Sequence, residues 1–207
     1  MKKKITMLLI ASVSTTILSA ADNSAGTYFG VAGGWSCYKA KFIDEDYYLD
    51  DDESTGKTKS FDEDDKGFKF YGGYQFNKII GVEASFTDYG TLSSKDYSQK
   101  PQSFAVYANA GYNFLNGQLR PFGLLGLGYL NTNQSRDLLD EDFVTVHAGI
   151  GIEYYPTVLK GVGFRAAFEG DFYVTNESAY DEDNNHYSSE TFFQRYMLFY
   201  AGVQYKF

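Results

Sequence analysis

Disulfides are the first thing this sequence lacks. Its single cysteine, Cys37, closes no internal bridge and lies too far from any cleavage site to carry a lipid anchor, so it reads as a small residue packed in a strand. Histidine is also scarce: His147 and His186 are the only two, and neither falls in a recognisable catalytic or metal-binding motif. Beyond the first twenty residues no run of roughly 18 apolar residues occurs, the longest being FGLLGLGYL at Phe122 to Leu130, so no helix is expected to span a membrane. Positive charge is in deficit, with 18 Lys and Arg against 27 Asp and Glu and a formal net charge of −9. That balance argues against nucleic acid or an anionic surface as partner.

What is present is aromatic, small and alternating. The chain has 19 Tyr, 18 Phe and 21 Gly beside only 3 Pro, and is poor in the Leu and Ala of helical proteins, which favours an all-β fold. It opens on MKKKITMLLIASVSTTILSAAD: three lysines, a short apolar stretch broken by Ser and Thr, then small residues. This is the pattern of a secretory signal peptide over residues 1–21, with cleavage after Ala20 or Ala21 and the remaining domain over 22–207. Without Lys2, Lys3 and Lys4 the formal charge of the mature chain is −12.

At the far end, YMLFYAGVQYKF places Met197, Phe199, Ala201, Val203, Tyr205 and Phe207 in one phase and Tyr200, Gly202, Gln204 and Lys206 in the other. A period of two is the signature of a strand with one oily face. The same alternation recurs along the chain. Phe68, Phe70, Tyr74 and Phe76 oppose Lys69, Tyr71 and Gln75; Ile80, Val82, Ala84 and Phe86 oppose Gly81, Glu83 and Ser85. Phe104, Val106, Ala108, Ala110, Tyr112 and Phe114 oppose Tyr107 and Asn109. Val144, Val146, Ile150 and Ile152 oppose Thr145, His147 and Glu153, and Val162, Phe164, Ala166 and Phe168 oppose Arg165, Glu169 and Asp171. Thr27 to Tyr38 sets Phe29, Val31, Gly33 and Trp35 on its oily face, whereas Arg120 to Leu130 is apolar on both faces and leaves its phase open.

Those are eight strands, and the connections between them alternate in length. Long segments run at Phe42 to Lys66, Asp88 to Gln102, Asn131 to Asp142 and Thr175 to Thr191, and tight turns at Asn77-Lys78, Asn116-Gly117 and Pro156 to Gly161. An even number of ten-residue alternating strands, with long loops at one end, predicts an eight-stranded antiparallel up-and-down transmembrane β-barrel. Closure gives every backbone group a partner, as a bilayer requires. Secretion through the signal peptide puts both termini in the periplasm and the acidic loops outside.

The segments TYFGVAGGW at Thr27 to Trp35, YGGYQF at Tyr71 to Phe76, GVEASF at Gly81 to Phe86, RPFGLLGLGYL at Arg120 to Leu130 and the terminal YKF resemble the small eight-stranded outer-membrane barrels, the family of the OmpA transmembrane domain, OmpX and the opacity-type adhesins. The resemblance implies residence in the outer membrane of a Gram-negative bacterium, among its lipids and lipopolysaccharide. It also implies that the last strand, through Phe199, Val203, Tyr205 and Phe207, is the signal read by the barrel-assembly machinery. A monomer without cofactor or metal is expected.

An eight-stranded lumen is just wide enough for side chains to fill. The inward phase gives it Lys69, Glu83, Glu153, Arg165, Glu169, Asp171 and Lys206, and charges in so narrow a space must be paired or solvated. Arg165 is expected to plug the barrel by pairing with Glu153 or Glu169. Enzymatic chemistry rests on thin evidence, since only His186 with Ser188 puts a base near a hydroxyl, in an acidic loop where a solvated histidine is the simpler reading. A calcium loop fails on spacing: Asp181, Asp183 and Asn185 supply three ligand positions, but His186 stands where Gly is needed and Phe192 at position twelve. The acidic loops are instead solvated segments, where Mg²⁺ or Ca²⁺ would bridge to lipopolysaccharide and where an extracellular ligand would bind. A structural or surface-interaction barrel leads this reading, a narrow porin-like channel is the alternative, and a lipid-modifying enzyme comes third. If the terminal aromatic is part of an insertion signal, deleting Phe207 should lower the folded, heat-modifiable form on unboiled gels of cell envelopes; an equal folded yield would remove that role.

Overall fold

A computed structural model describes residues 25–43, 63–94, 97–133, 142–181 and 186–207. The leader over residues 1–21 and the acidic stretch from Asp44 to Asp62 lie outside the described residues. Ten strands are formed: β1 (Gly26–Ile43), β2 (Glu63–Gln75), β3 (Ile80–Asp88), β4 (Leu92–Ser94), β5 (Tyr97–Gln99), β6 (Gln102–Gly111), β7 (Leu119–Asn131), β8 (Asp142–Tyr154), β9 (Val162–Asp181) and β10 (His186–Lys206). Eight of them close into a barrel in the order β1-β10-β9-β8-β7-β6-β3-β2, with every neighbour antiparallel, while β4 and β5 pair only with each other in the second long connection. The seam is β1 against β10, paired from Tyr28↔Lys206 to Ile43↔Thr191.

Alternation decides which way each side chain faces. Phe29, Val31, Trp35, Phe68, Phe70, Val82, Phe86, Phe104, Val106, Val146, Ile150, Phe164, Phe168, Phe199 and Val203 are all exposed large apolar residues on the outside of the wall, where a bilayer replaces water as solvent. The open phase of β7 is settled by its neighbours. Leu125, Leu127 and Tyr129 face out, while Arg120, Phe122, Leu124 and Leu130 are buried inside. At the turn end Tyr74, Phe76, Tyr112, Phe114, Tyr154, Tyr205 and Phe207 form an aromatic rim, with Phe207 edge-on to Phe29 and Tyr205.

Turn chemistry matches the short connections. The Asn77 side-chain oxygen accepts the amides of Ile79 and Ile80 at 2.8 and 3.0 Å, an Asx turn that reverses the chain into β3. Between β6 and β7 a single 3-10 turn at Leu115–Gly117 takes the left-handed region at Asn116 (φ 55°) and Gly117 (φ 87°), residues suited to it.

The long connections at Asp88 to Gln102 and Asn131 to Asp142 fall at the expected bounds, whereas in the first and fourth the strands run further than the loss of clean alternation suggested. Glu63, Asp64, Asp65 and Lys66, read as loop, belong to β2, and Tyr38 pairs with Glu63. Most of the expected fourth loop from Thr175 to Thr191 is strand: β9 continues to Asp181 and β10 starts at His186, in unbroken register from His186↔Asp181 to Tyr205↔Val162. Backbone pairing sustains this extension where side-chain pattern does not, since a hairpin supplies its own hydrogen bonds. The pairing of β8 with β9 stops at Val146↔Phe172, so beyond that point β9 is held by β10 alone, while β10 stays paired with β1 as far as Ile43↔Thr191, and the hairpin runs on past both neighbours by about 17 Å of strand at the usual rise per residue.

A charge on the outer face at mid-wall has no compensation. Leu127, 64% exposed and registered between Val106 and Val146, is such a site. Leu127→Arg should cost about 2–4 kcal/mol in denaturant unfolding from lipid vesicles. A cost under about 0.5 kcal/mol would mean that this face does not meet lipid.

Candidate functional site: the filled lumen

Strand phase brings six of the seven charged residues assigned inward to the interior, almost without solvent access: Lys69, Glu83, Glu153, Arg165, Glu169 and Asp171 are each at most 3% exposed. The seventh, Lys206, shares the phase but sits half-buried at the turn-side mouth, beyond the ion-paired centre. The interior is built in layers along the barrel axis.

The central layer is organised around Arg165 on β9. Its guanidinium bonds Glu83, on β3, with Nη1 donating to the two carboxylate oxygens at 3.0 and 2.8 Å. The expected partners were Glu153 or Glu169; the hydrogen-bonded partner is Glu83, with Glu153 a weaker, more distant one. Glu153 on the adjoining β8 strand comes only to 4.0 Å from Arg165 Nε, and Glu169 is taken by Lys69. The reason is reach: the long arginine side chain crosses the lumen, whereas the cross-strand neighbour Glu153 leans toward Arg120, whose Nη1 donates to it at 3.3 Å. Three more donors converge on Glu83. Tyr28 and Tyr107 each donate a hydroxyl at 2.6 Å, and Asn109 Nδ2 donates at 3.3 Å. The guanidinium plane lies between Tyr71 and Phe122, 4.5 and 4.3 Å from their ring centroids.

One layer nearer the loops, Lys69 on β2 bonds Glu169 on β9, with its ammonium over the rings of Tyr107 and Tyr200. The Tyr200 hydroxyl donates to the same carboxylate at 3.1 Å. His147 stacks on Tyr107 at 4.6 Å and joins this layer to the next: Nε2 lies 3.7 Å from Glu169 and Nδ1 3.1 Å from Asp171. Asp171 also accepts the hydroxyls of Thr145 and Tyr89 at 2.8 and 2.7 Å.

Tyr89 belongs to the second long connection, which folds inward at the loop-side mouth, with Tyr89 and Gln99 buried. Gln99 accepts the Tyr196 hydroxyl at 2.8 Å, Ser36 donates to the Tyr89 carbonyl at 2.5 Å, and the Lys100 amide donates to Thr132 at 3.1 Å. Above them Gln194 accepts hydroxyls from Tyr38 and Tyr173 at 2.7 and 2.8 Å, and the rings of Tyr38, Tyr89 and Tyr173 all contact that of Tyr196.

Sequence reasoning missed Arg120, because β7 is apolar on both faces and its phase was open, and it missed the tyrosines as a class. Tyr28, Tyr107 and Tyr200 stand in the inward phase, where each phenol satisfies a buried carboxylate without adding charge; Tyr71, which packs on the Arg165 guanidinium, and Tyr173, which donates to Gln194, share that phase. That phase was the available signal. His147 points inward as expected but is bound up with two carboxylates. Among the described residues no group of three or more His, Cys, Asp and Glu is arranged to hold a metal ion. His186 and Ser188 lie on β10 by backbone, with side chains outside the described residues, as are Asp183 and Asn185.

A closed antiparallel wall, apolar outside and packed with paired polar groups inside, defines a small integral β-barrel of the outer-membrane type. The family model of the outer membrane protein beta-barrel domain matches residues 7–207, and the chain belongs to that family and to the outer membrane. Solved structures of the same fold include OprG from Pseudomonas aeruginosa, at 16% identity over 90% of this chain and 98% of that one with a TM-score of 0.54. AlkL, solved by solid-state NMR in DMPC lipid bilayers, is 14% identical over 92% of this chain and 93% of that one, with a TM-score of 0.53. Neisserial surface protein A is 16% identical over 88% and 99%, with a TM-score of 0.50. Such distant likeness speaks for the fold alone. No curated protein matches the chain.

Because Lys69 and Glu169 are fully desolvated, removing one strands the other. Lys69→Met should cost about 3–5 kcal/mol in urea unfolding from vesicles, and Glu169→Gln added to it should recover most of the loss. A single-variant cost under about 1 kcal/mol would show that water already solvates this layer.

Proposed function

We propose that this protein is a non-conducting outer-membrane barrel whose work is done at its surface, in envelope integrity, adhesion or the presentation of its long connections. The observation that carries the reading is the lumen: from the Arg120–Glu153 pair through Arg165–Glu83 and Lys69–Glu169 to Asp171, charged and phenolic side chains bond one another, the middle two pairs across the barrel and Arg120–Glu153 between adjoining strands. The infolded second connection then occupies the loop-side mouth. A path for solutes would have to break buried ion pairs, each costly to separate. The β9–β10 hairpin, running on past its β8 and β1 neighbours, adds a two-stranded arm beside the acidic loops.

In this reading the turn end and both termini face the periplasm and the long connections face outward, where carboxylates hold divalent cations against lipopolysaccharide and meet an extracellular ligand. Phe199, Val203, Tyr205 and Phe207, all exposed along one face of β10, present the strand to the assembly machinery. No catalytic role is proposed: the inward-facing histidine is engaged by Glu169 and Asp171, and the neighbouring Thr145 hydroxyl donates to Asp171.

Wild-type protein in planar bilayers should show little or no steady conductance, and Arg165→Ala, which withdraws the central cross-lumen contact, should raise it. Strong steady conductance of the wild type, with Arg165→Ala changing only ion selectivity, would replace this reading with that of a narrow channel.

A further inference from the structure

The charges sealed inside the barrel do not balance. Among the described residues the buried carboxylates are Glu83, Glu153, Glu169 and Asp171, and the permanent cations buried with them are Arg120, Arg165 and Lys69. Each cation has its carboxylate: Arg120 pairs with Glu153, Arg165 with Glu83 and Lys69 with Glu169. Asp171 is left over. The hydroxyls of Tyr89 and Thr145 that donate to it are neutral, and a buried carboxylate without a counter-charge is costly.

One titratable side chain is placed to supply the missing charge. His147 on β8 is fully buried, and both of its ring nitrogens face carboxylate oxygens on β9, with Nδ1 3.1 Å from Asp171 and Nε2 3.7 Å from Glu169. A neutral imidazole has one donor and one lone pair, so it would turn a lone pair toward one of these carboxylates, whereas the imidazolium turns a donor to each. The other groups around the ring are already engaged. Tyr107 of β6 stacks on it and donates to Glu83 of β3, which Arg165 holds; Lys69 of β2 and Tyr200 of β10 bond Glu169. From β7 the approach is left open at Gly128, where a Cβ would fall onto the Thr145 hydroxyl and the Asp171 carboxylate.

Asp171 is also the point at which the second long connection is tied to the charged interior. The buried Tyr89 donates to it at 2.7 Å, while Ser36 and Tyr196 hold the same connection by neutral hydrogen bonds to the Tyr89 carbonyl and to Gln99. Water reaching Asp171 from the loop side must displace that phenol. We infer that His147 is a proton-operated latch on the loop-side mouth. With the ring protonated, Asp171 is neutralised and Tyr89 stays bonded over it. When the ring gives its proton up to solvent, Asp171 carries an unbalanced charge, draws water in, and the second connection lets go of the lumen. The latch therefore opens as pH rises through the range in which the ring itself loses its proton. It concerns the mouth alone and does not depend on whether the layers beneath it conduct.

The test uses the mature protein carrying His186→Gln, which leaves His147 as its sole histidine, isotope-labelled and folded in phosphatidylcholine nanodiscs. Long-range nitrogen spectra report the charge of the ring at each pH, and hydrogen exchange, corrected for its intrinsic pH dependence, reports the amides of Tyr89 and Lys100, which donate to Pro101 and Thr132. Protection of both amides should fall about tenfold or more in step with loss of the ring proton, with the wall strands β6 and β7 unchanged. His147→Gln should show the lowered protection at every pH, and adding Asp171→Asn, which restores the balance, should recover it at every pH; these variants decide the matter where the ring keeps its proton throughout. A ring that stays neutral while the barrel is folded, a ring that titrates with no change at Tyr89 and Lys100, or full protection in His147→Gln would overturn the latch.

Discussion

Closure of eight strands leaves an interior about as wide as the side chains pointing into it, and that width governs everything inside. Water cannot be the general solvent for the inward residues, so each charge must find a protein partner, across the barrel for Arg165 and Lys69 and on the adjoining strand for Arg120 and Asp171. Arg165 is where this is most visible. It reaches from β9 to Glu83 on β3, and Tyr28, Tyr107 and Asn109 complete the carboxylate's shell. A buried pair gains little net stability over an apolar filling, but once present it must be satisfied. Its consequence is geometric: the strands that supply its members are held at one separation, which a closed sheet translates into one register all round.

The tyrosines follow from the same constraint. Each buried carboxylate has more acceptor positions than one cation can fill, and a phenol supplies a donor, a large apolar body and no further charge. Glu83 takes two tyrosine hydroxyls, Glu169 takes that of Tyr200, and Asp171 takes that of Tyr89. The same rings stack on one another toward the loop-side mouth, so one residue type both satisfies the charges and fills the space between them.

Much of this was legible in the residues. Period-two alternation marked the eight wall strands and their outward faces, because in lipid the apolar face and in the lumen the polar face are each strongly selected. The turns at Asn77-Lys78 and Asn116-Gly117 were readable from their chemistry. Less could be read where two physical demands overlap. On β7 the lumen accepts Leu124 and Leu130 as readily as lipid accepts Leu125 and Leu127, so periodicity carried no phase and Arg120 went unseen. Pairing across the lumen was out of reach in principle, since register fixes neighbours along the wall but not which side chain spans the interior. Hence Arg165 was expected on Glu153 or Glu169 and is found on Glu83. The extended β9–β10 hairpin was hidden for another reason: once a strand leaves the bilayer, neither face is selected for oiliness, and backbone hydrogen bonds carry the pairing on.

The central claim is that the lumen is dry and held by cross-barrel charge pairs, and a double-mutant cycle on Arg165 and Glu83 tests it most directly. Arg165→Met, Glu83→Gln and the double variant would be unfolded reversibly from lipid vesicles alongside the wild type. The account predicts a coupling energy of about 2 kcal/mol or more, with the double variant more stable than the sum of the single losses implies. Additive losses, with coupling near zero, would mean that water screens the pair and that the barrel interior is open.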